Sequence, residues 1–284
     1  MPSDIIVLNS TNYQGGNLYK LRFPKTVQFK QTDTLSLYSF SMYNSTFNIS
    51  ASQYQNSTIS FTWFNGTTYT FVIPDGYYAV TDLNVWLQSQ FILNNLYCTN
   101  SSGSTFIYFA QFQTNPNRYK NEIDIYYMPS ATNATTFGYV KPTSATWTFP
   151  TVNTMVQLTI NNNLLSFFGM KSRTIFGNET VIKNYQYLSD PGQTPIISPV
   201  FSYIITTNLI CSDMNQVATT IAQFPVNAPF GGLINVLSSM DSRINVKAGL
   251  YSELIVQLWD QSFNPLVFQD PEMTLFFIID IADK

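Results

Sequence analysis

Between Leu254 and Trp259 the chain alternates: Leu254, Val256 and Leu258 fall on one side and Ile255, Gln257 and Trp259 on the other. A period of two with apolar residues on both sides predicts a strand that is at least partly covered on each face. Asp260-Gln261-Ser262-Phe263-Asn264-Pro265 then predicts a reversal, because Asp and Asn bond their own backbone and Pro presets φ. After a second break at Asp270-Pro271-Glu272, Met273 to Ile281 predicts another strongly apolar strand. A strand in that position predicts that C-terminal truncation unfolds the chain rather than trimming a tail.

Similar patterns recur upstream. Ile5 to Leu8 predicts a short strand or arm, and Leu18 to Phe23 and Thr26 to Lys30 predict strands. The broken alternation of Leu35, Leu37, Phe40 and Met42 predicts a long strand with a bulge. Ile59, Phe61 and Trp63 alternate with small polar residues, Asn65-Gly66 interrupts, and Tyr69, Phe71 and Ile73 alternate again. That is a hairpin signature, and a type I′ turn there needs positive φ at both central residues. Thr81 reads as the N-cap of the one clear helix, on which Leu83, Trp86, Leu87 and Phe91 form an apolar stripe facing a sheet.

Thr105 to Gln113 and Glu122 to Met128 predict two strands joined through Asn115-Pro116-Asn117. The tract from Pro129 to Thr151 is irregular and rich in Ser, Thr and Pro, which predicts a long loop or insertion. Val152 to Ile160, Val200 to Ile210 and Val217 to Phe224 read as strands, and Phe230-Gly231-Gly232-Leu233 as a bend. Asn163 to Met170 fits a short helix or a buried strand equally well. No internal repeat of fixed period is present.

Composition reinforces the strand reading: 23 Phe and 18 Tyr in 284 residues favour an all-β fold. Charged residues make up only 10%, against about a quarter in ordinary domains. The polar surface therefore comes from Asn, Thr, Ser and Gln, and such a surface resists self-association poorly. A net charge of −3 argues against a general nucleic-acid binder. Even so, Lys20, Arg22, Lys25 and Lys30 crowd together, either as an edge strand guarded by positive charge or as an inner-face or interface basic cluster that touches nucleic acid.

Cys98 and Cys211 are too few for a disulfide framework and are expected to be reduced structural thiols. MPSDIIVLNS carries no basic n-region or apolar h-region, so a secreted product is not expected. Sequons at Asn9, Asn44, Asn48, Asn56, Asn65, Asn100, Asn133 and Asn178 then follow from the abundance of Asn, Ser and Thr rather than from glycosylation. No apolar run approaches the roughly 18 residues that cross a bilayer, so no membrane span is expected.

Catalytic chemistry is sparse. The chain has no histidine, which removes Ser-His-Asp and Cys-His arrangements and His-containing zinc sites. No glycine-rich phosphate loop occurs. Glu122 with Asp124, and Asp270 with Glu272, are spaced two apart and would share a strand face. They are the candidate carboxylate pairs for a glycosidase. Acidic residues do not form the dense series a Ca²⁺ loop needs. The expectation is a non-enzyme with no catalytic residues, cofactor or metal.

Several blocks, taken in order, resemble the minor capsid, or penton, proteins of virophages and polinton-like viruses, of the double-jelly-roll capsid lineage. They are SMYNSTFNIS from Ser41, YTFVIPDGYYAVTDLNVWLQ from Tyr69, NNNLLSFFGMKSRTIF from Asn161, SPVFSYIITTNLI from Ser198, and WDQSFNPLVFQDPEMTLFF from Trp259. The resemblance implies an antiparallel jelly-roll β-sandwich with one amphipathic helix and long loop insertions. It implies a single jelly-roll domain over 1–284 with an insertion within 129–195, or alternatively two β domains divided near 150. As a function it implies a penton subunit forming homopentamers at the five-fold vertices of an icosahedral capsid. Its partners would be itself, major capsid protein trimers, other minor capsid proteins and, through the basic cluster, the genome. The location would be the virion, after synthesis in the host cytoplasm. The alternative is a lectin-like β-sandwich attachment module whose exposed Tyr and Trp stack on sugar rings.

Overall fold

The structure, a computed structural model, describes residues 3–211, 219–238 and 243–282. The chain divides into two compact units, one made of Met1–Phe47 and Ser198–Lys284 and the other of Asn48–Ile197.

The first unit contains eight principal strands: β1 (Ser3–Asn9), β2 (Leu18–Phe29), β3 (Thr34–Tyr43), β4 (Ser202–Thr207), β5 (Thr220–Pro225), β6 (Leu233–Leu237), β7 (Gly249–Asp260) and β8 (Met273–Asp280). One sheet has the order β1-β8-β3-β6 and the other β5-β4-β7-β2. A short strand at Tyr13–Gly15 pairs with β2, and another at Ile244–Asn245 pairs with β3. All these pairings are antiparallel. Every step along the chain except β4 to β5 therefore crosses from one sheet to the other. This 1-8-3-6 and 2-7-4-5 interleaving is the connectivity of a jelly roll.

The core of this unit explains the alternation. Leu254, Val256 and Leu258 on β7 are fully buried, as are Leu275 and Phe277 on β8 and Tyr203 and Ile205 on β4. The strands β7 and β8 are not partners: β7 lies between β4 and β2, and β8 between β1 and β3. The turn after β7 thus carries the chain between sheets. The Asp260 carboxylate holds it, accepting from the Ser262 and Asn264 backbone N–H groups at 2.7 and 2.9 Å, while Phe263 takes φ 59°.

The expected bulge in β3 is present: Phe276 faces Ser39 but Phe277 faces Leu37, which leaves Tyr38 looped out. The two strands expected at Leu18 to Phe23 and Thr26 to Lys30 form one, β2. Its register against β7 slips around Pro24, where no N–H is available for the ladder. The strand β6 was not expected, because its five residues follow directly on the Gly231-Gly232 bend. Of the strand expected at Val217 to Phe224, residues 217–218 lie outside the described residues, and β5 begins at Thr220.

The second unit is built from shorter pieces around its own core. A four-stranded sheet runs Ile175–Phe176, Gln157–Ile160, Thr58–Thr62 and Thr68–Val72, and a three-stranded sheet runs Tyr185–Leu188, Lys120–Ile125 and Ala110–Asn115. Helix α1 (Val80–Leu93) buries Leu83, Leu87 and Phe91, and Asn84 Oδ1 accepts from the Phe112 N–H at 2.8 Å, fixing the helix to the strand Ala110–Asn115. The two ends of the unit meet, since Asn48 Nδ2 donates to the Ile197 carbonyl at 2.9 Å.

Several expectations are corrected here. The hairpin between Thr58 and Val72 forms, but only Gly66 of its Asn65-Gly66 pair has positive φ. Trp63 is drawn into the core, and the Gly66 N–H donates to the Trp63 carbonyl at 2.9 Å, so the loop has three residues rather than a two-residue type I′ turn. Helix α1 starts one residue before the expected cap: Thr81 lies inside it, and Asp82 accepts from the Ala79 N–H at 3.0 Å. The tract 129–151 is not all loop. It holds a second helix, α2 (Ala131–Phe137), capped by Ser130 and ended by Gly138 at φ 69°. Asn163 to Met170 resolves as a 3₁₀ turn, Asn162–Phe168.

The inserted stretch, Asn48–Ile197, is much longer than 129–195, and neither boundary falls near 150. Strand and helix patterns at 58–93 look alike whichever core they enter, and these residues belong to the second core.

Candidate functional site

The second unit carries an open pocket of about 740 Å³. Its walls are aromatic: Phe106, Tyr108, Tyr126, Tyr127, Phe137 and Tyr139 line it. These rings come from the ends of three short strands and of α2, and they converge because 98–100 pairs with both 106–107 and 139–140. The Phe106 and Tyr108 rings lie within 7° of parallel, with centroids 6.3 Å apart. Phe106 and Phe137 remain about half exposed, at 47% and 51%. Burial raises the pKa of Tyr108 and Tyr139, and pushes that of Tyr126 up to about 12, so these phenols stay protonated and neutral.

Polar groups enter from Gln88, Gln111 and Asn184. Gln111 Nε2 donates to the Tyr126 hydroxyl at 2.6 Å and to Asp124 Oδ2 at 3.1 Å. Asp124 also accepts from Gln113 Nε2 at 2.9 Å and from the Tyr126 hydroxyl at 3.3 Å, but its Oδ1 is buried without a hydrogen-bond partner. Burial raises the Asp124 pKa, opposed by the Gln111 hydrogen bond and assisted by the charge of Glu122.

The carboxylate pairs do not form a hydrolytic centre. Glu122 and Asp124 share a face as their spacing predicts, yet both are buried under amide side chains. Glu122 accepts from Asn115 Nδ2 at 2.7 Å and from Gln186 Nε2 at 2.6 Å. Asp270 is spent on its own turn, accepting from the Glu272 N–H at 2.8 Å. Among the described residues no group of three or more His, Cys, Asp or Glu side chains could hold a metal ion. Cys98 is buried, its thiol pKa pushed up to about 12, whereas Cys211 is exposed rather than structural.

Lys20, Arg22, Lys25 and Lys30 lie along β2 and just beyond its end. At about 3.3 Å per residue they spread over roughly 30 Å, so a cluster in sequence is a stripe in space. Lys20 Nζ lies 3.6 Å from Glu253 Oε1, and Arg22 faces Glu253 in the ladder. Past the pairing with Tyr13–Gly15, β2 runs along the border of its sheet. A stripe at a sheet border suits either reading, an edge guarded by positive charge or a surface met by a partner.

The outer face of the other sheet carries a row of exposed apolar side chains beside a polar row of Asn9, Thr274, Ser41 and Asn235. Val7, Phe276, Ser39 and Leu237 face one another across β1, β8, β3 and β6 and so share a side. Ile5, two residues along from Val7, extends the row. Ile5 and Leu237 are 69% and 74% exposed.

The architecture defines an antiparallel jelly-roll protein interrupted between β3 and β4 by a second β unit. No family model matches the sequence, and no curated protein matches it. Among solved structures, the chain is similar to the mavirus penton protein in its crystal structure, with TM-score 0.44 and 9% identity over 98% of this chain and 99% of that one. It is also similar to a chain in the cryo-EM structure of the Sputnik virophage, with TM-score 0.42 and 14% identity over 98% of this chain and 97% of that one. The fold assignment rests on the strand order. Among the described residues no helix is long and apolar enough to cross a membrane.

Proposed function

We propose that the chain is a structural virion protein: a penton, or minor capsid, subunit that forms homopentamers at the five-fold vertices of an icosahedral capsid. Jelly rolls recur in viral capsid domains. The observation that carries the reading is a row of exposed apolar side chains on the outer side of the β1-β8-β3-β6 sheet, where Ile5, Val7 and Phe276 adjoin and Leu237 follows across Ser39. An apolar patch of this kind marks an association surface.

The low charge and high aromatic content fit a subunit that covers much of its exterior, because interface cores are depleted in charge and enriched in aromatics. A ring of five copies is a heterologous contact that closes. In this reading the ring meets major capsid protein trimers and other minor capsid proteins. The subunit is made in the host cytoplasm, and the basic stripe from Lys20 to Lys30 lies at an interface or on the inner capsid surface.

Native mass spectrometry of the purified chain tests the assembly state. The expected species has five times the 32.3 kDa of one chain. A chain that stays monomeric at high concentration overturns the reading.

A further inference from the structure

The aromatic pocket of the second unit has features that assembly does not require. Its volume of about 740 Å³ is within the roughly 300–1,000 Å³ typical of small-ligand sites. Three observations restrict what fits.

The first is charge. Amides, phenols and apolar groups line the pocket, and no Lys, Arg, Asp or Glu does so among the described residues. A phosphate, carboxylate, sulfate or ammonium group would lose its water there without gaining a counter-charge.

The second is unused hydrogen-bonding capacity. Among the described residues, the side-chain amides of Gln88 and Asn184 and the hydroxyls of Tyr108, Tyr127 and Tyr139 make no hydrogen bond within the protein. Gln111 commits its Nε2 to Tyr126 and Asp124, which fixes the amide and leaves its carbonyl oxygen available. A wholly apolar ligand would strip water from these groups and return nothing.

The third is shape. The parallel Phe106 and Tyr108 rings offer flat apolar surface, and Phe137 and Tyr139, with centroids 5.6 Å apart, add a second pair. The matching ligand has a C–H face that lies flat on a ring and an edge of hydroxyls, each able to donate and accept. A pyranose has both.

We propose that this pocket binds a short neutral oligosaccharide, with sugar rings stacked on Phe106, Tyr108 and Phe137 and hydroxyls paired with Gln88, Gln111 and Asn184. Asp124 is a positioning residue: it orients the Gln111 amide and the Tyr126 hydroxyl from beneath. The capsid reading neither requires nor excludes this site.

The test uses the full chain on an array of neutral, sialylated and sulfated oligosaccharides, followed by calorimetry with the best neutral glycan. Asn184→Ala removes an exposed group and should leave the melting temperature unchanged; Phe106→Ala/Phe137→Ala removes two half-exposed rings and should lower it while leaving the fold intact by circular dichroism. Tyr119→Ala, at an exposed ring outside the pocket, is the control. The expected result is retention of a neutral glycan, with affinity at least tenfold weaker in the double aromatic variant, reduced in Asn184→Ala and unchanged in Tyr119→Ala. Retention of no neutral glycan, preference for the charged ones, or equal affinity in wild type and double variant would each overturn the proposal. A pentamer that binds no sugar would sink this site and leave the capsid reading standing.

Discussion

Ending the chain at Glu272 deletes β8 and tests the jelly-roll strand order directly. In that order β8 is central, paired on one side with β1 and on the other with β3. Its inward side chains, Met273, Leu275, Phe277 and Ile279, are all nearly or fully buried. At about 1.5–3 kcal/mol for each buried apolar side chain, their removal costs about 6–12 kcal/mol. That is comparable with the whole stability of a typical domain, about 5–15 kcal/mol. The facing ladders of β1 and β3 also lose their partners. The jelly-roll unit should therefore lose cooperative unfolding altogether. The control ends at Ile281, where the described loss is the Ala282 N–H bond to Asp33 Oδ1 at 3.0 Å, worth about 1 kcal/mol. Urea unfolding followed by circular dichroism, with hydrogen exchange on peptides from β3 and β7, reads both chains. Protected amides in β3 and β7 after the deletion at Glu272 would refute the argument, because only an edge strand can be removed so cheaply.

Gly177→Ala should cost at least about 3 kcal/mol in the second unit, since φ is +84° and a Cβ would sit 2.2 Å from the Val156 carbonyl oxygen. Gly192→Ala, at φ +73° with nothing within 4 Å, should cost only about 1–2 kcal/mol of left-handed strain; equal losses in urea titrations would contradict the packing. Asp124 has a raised folded pKa, so its stabilising contribution is complete at low pH and is lost as pH rises through that value. The stability of wild type relative to Asp124→Asn should accordingly fall as pH rises from the ordinary Asp range toward the raised folded value, and a flat difference would show that the carboxyl is not desolvated. Ile5→Lys/Leu237→Lys places two charges on the outer sheet face and should weaken the pentamer at least tenfold, about 1.4 kcal/mol, without changing the monomer's circular dichroism. An unaffected pentamer would mean that another face makes the contact.

Local chemistry was readable in the residues wherever one strand face meets a core. The alternation on β7, the bulge in β3, the hairpin at 58–72 and the stripe on α1 all follow from periodicity. The partners of a strand do not. Residues 247 to 281 look like a closing pair, yet β7 and β8 belong to different sheets, because an Asp-Asn-Pro turn can reverse the chain within a sheet or carry it across a sandwich. Periodicity was equally silent on which core a segment enters, so the length of the inserted unit was underestimated. At Asn65-Gly66 the burial of Trp63 overrode the dipeptide's local preference. The aromatic pocket was invisible for a related reason, since its lining is drawn from 88, 106–111, 126–129, 137–139 and 184 and no single segment announces it. For the basic quartet, adjacency in sequence became distance along an extended strand.

Vertex placement is decided by a cryo-EM map of assembled particles. Five copies of the 1-8-3-6 and 2-7-4-5 jelly roll should surround each five-fold axis, with the β1-β8-β3-β6 face covered and Lys20 to Lys30 turned toward an interface or the interior. A map with this chain away from the vertices, or with that face bare in every copy, would contradict the penton reading.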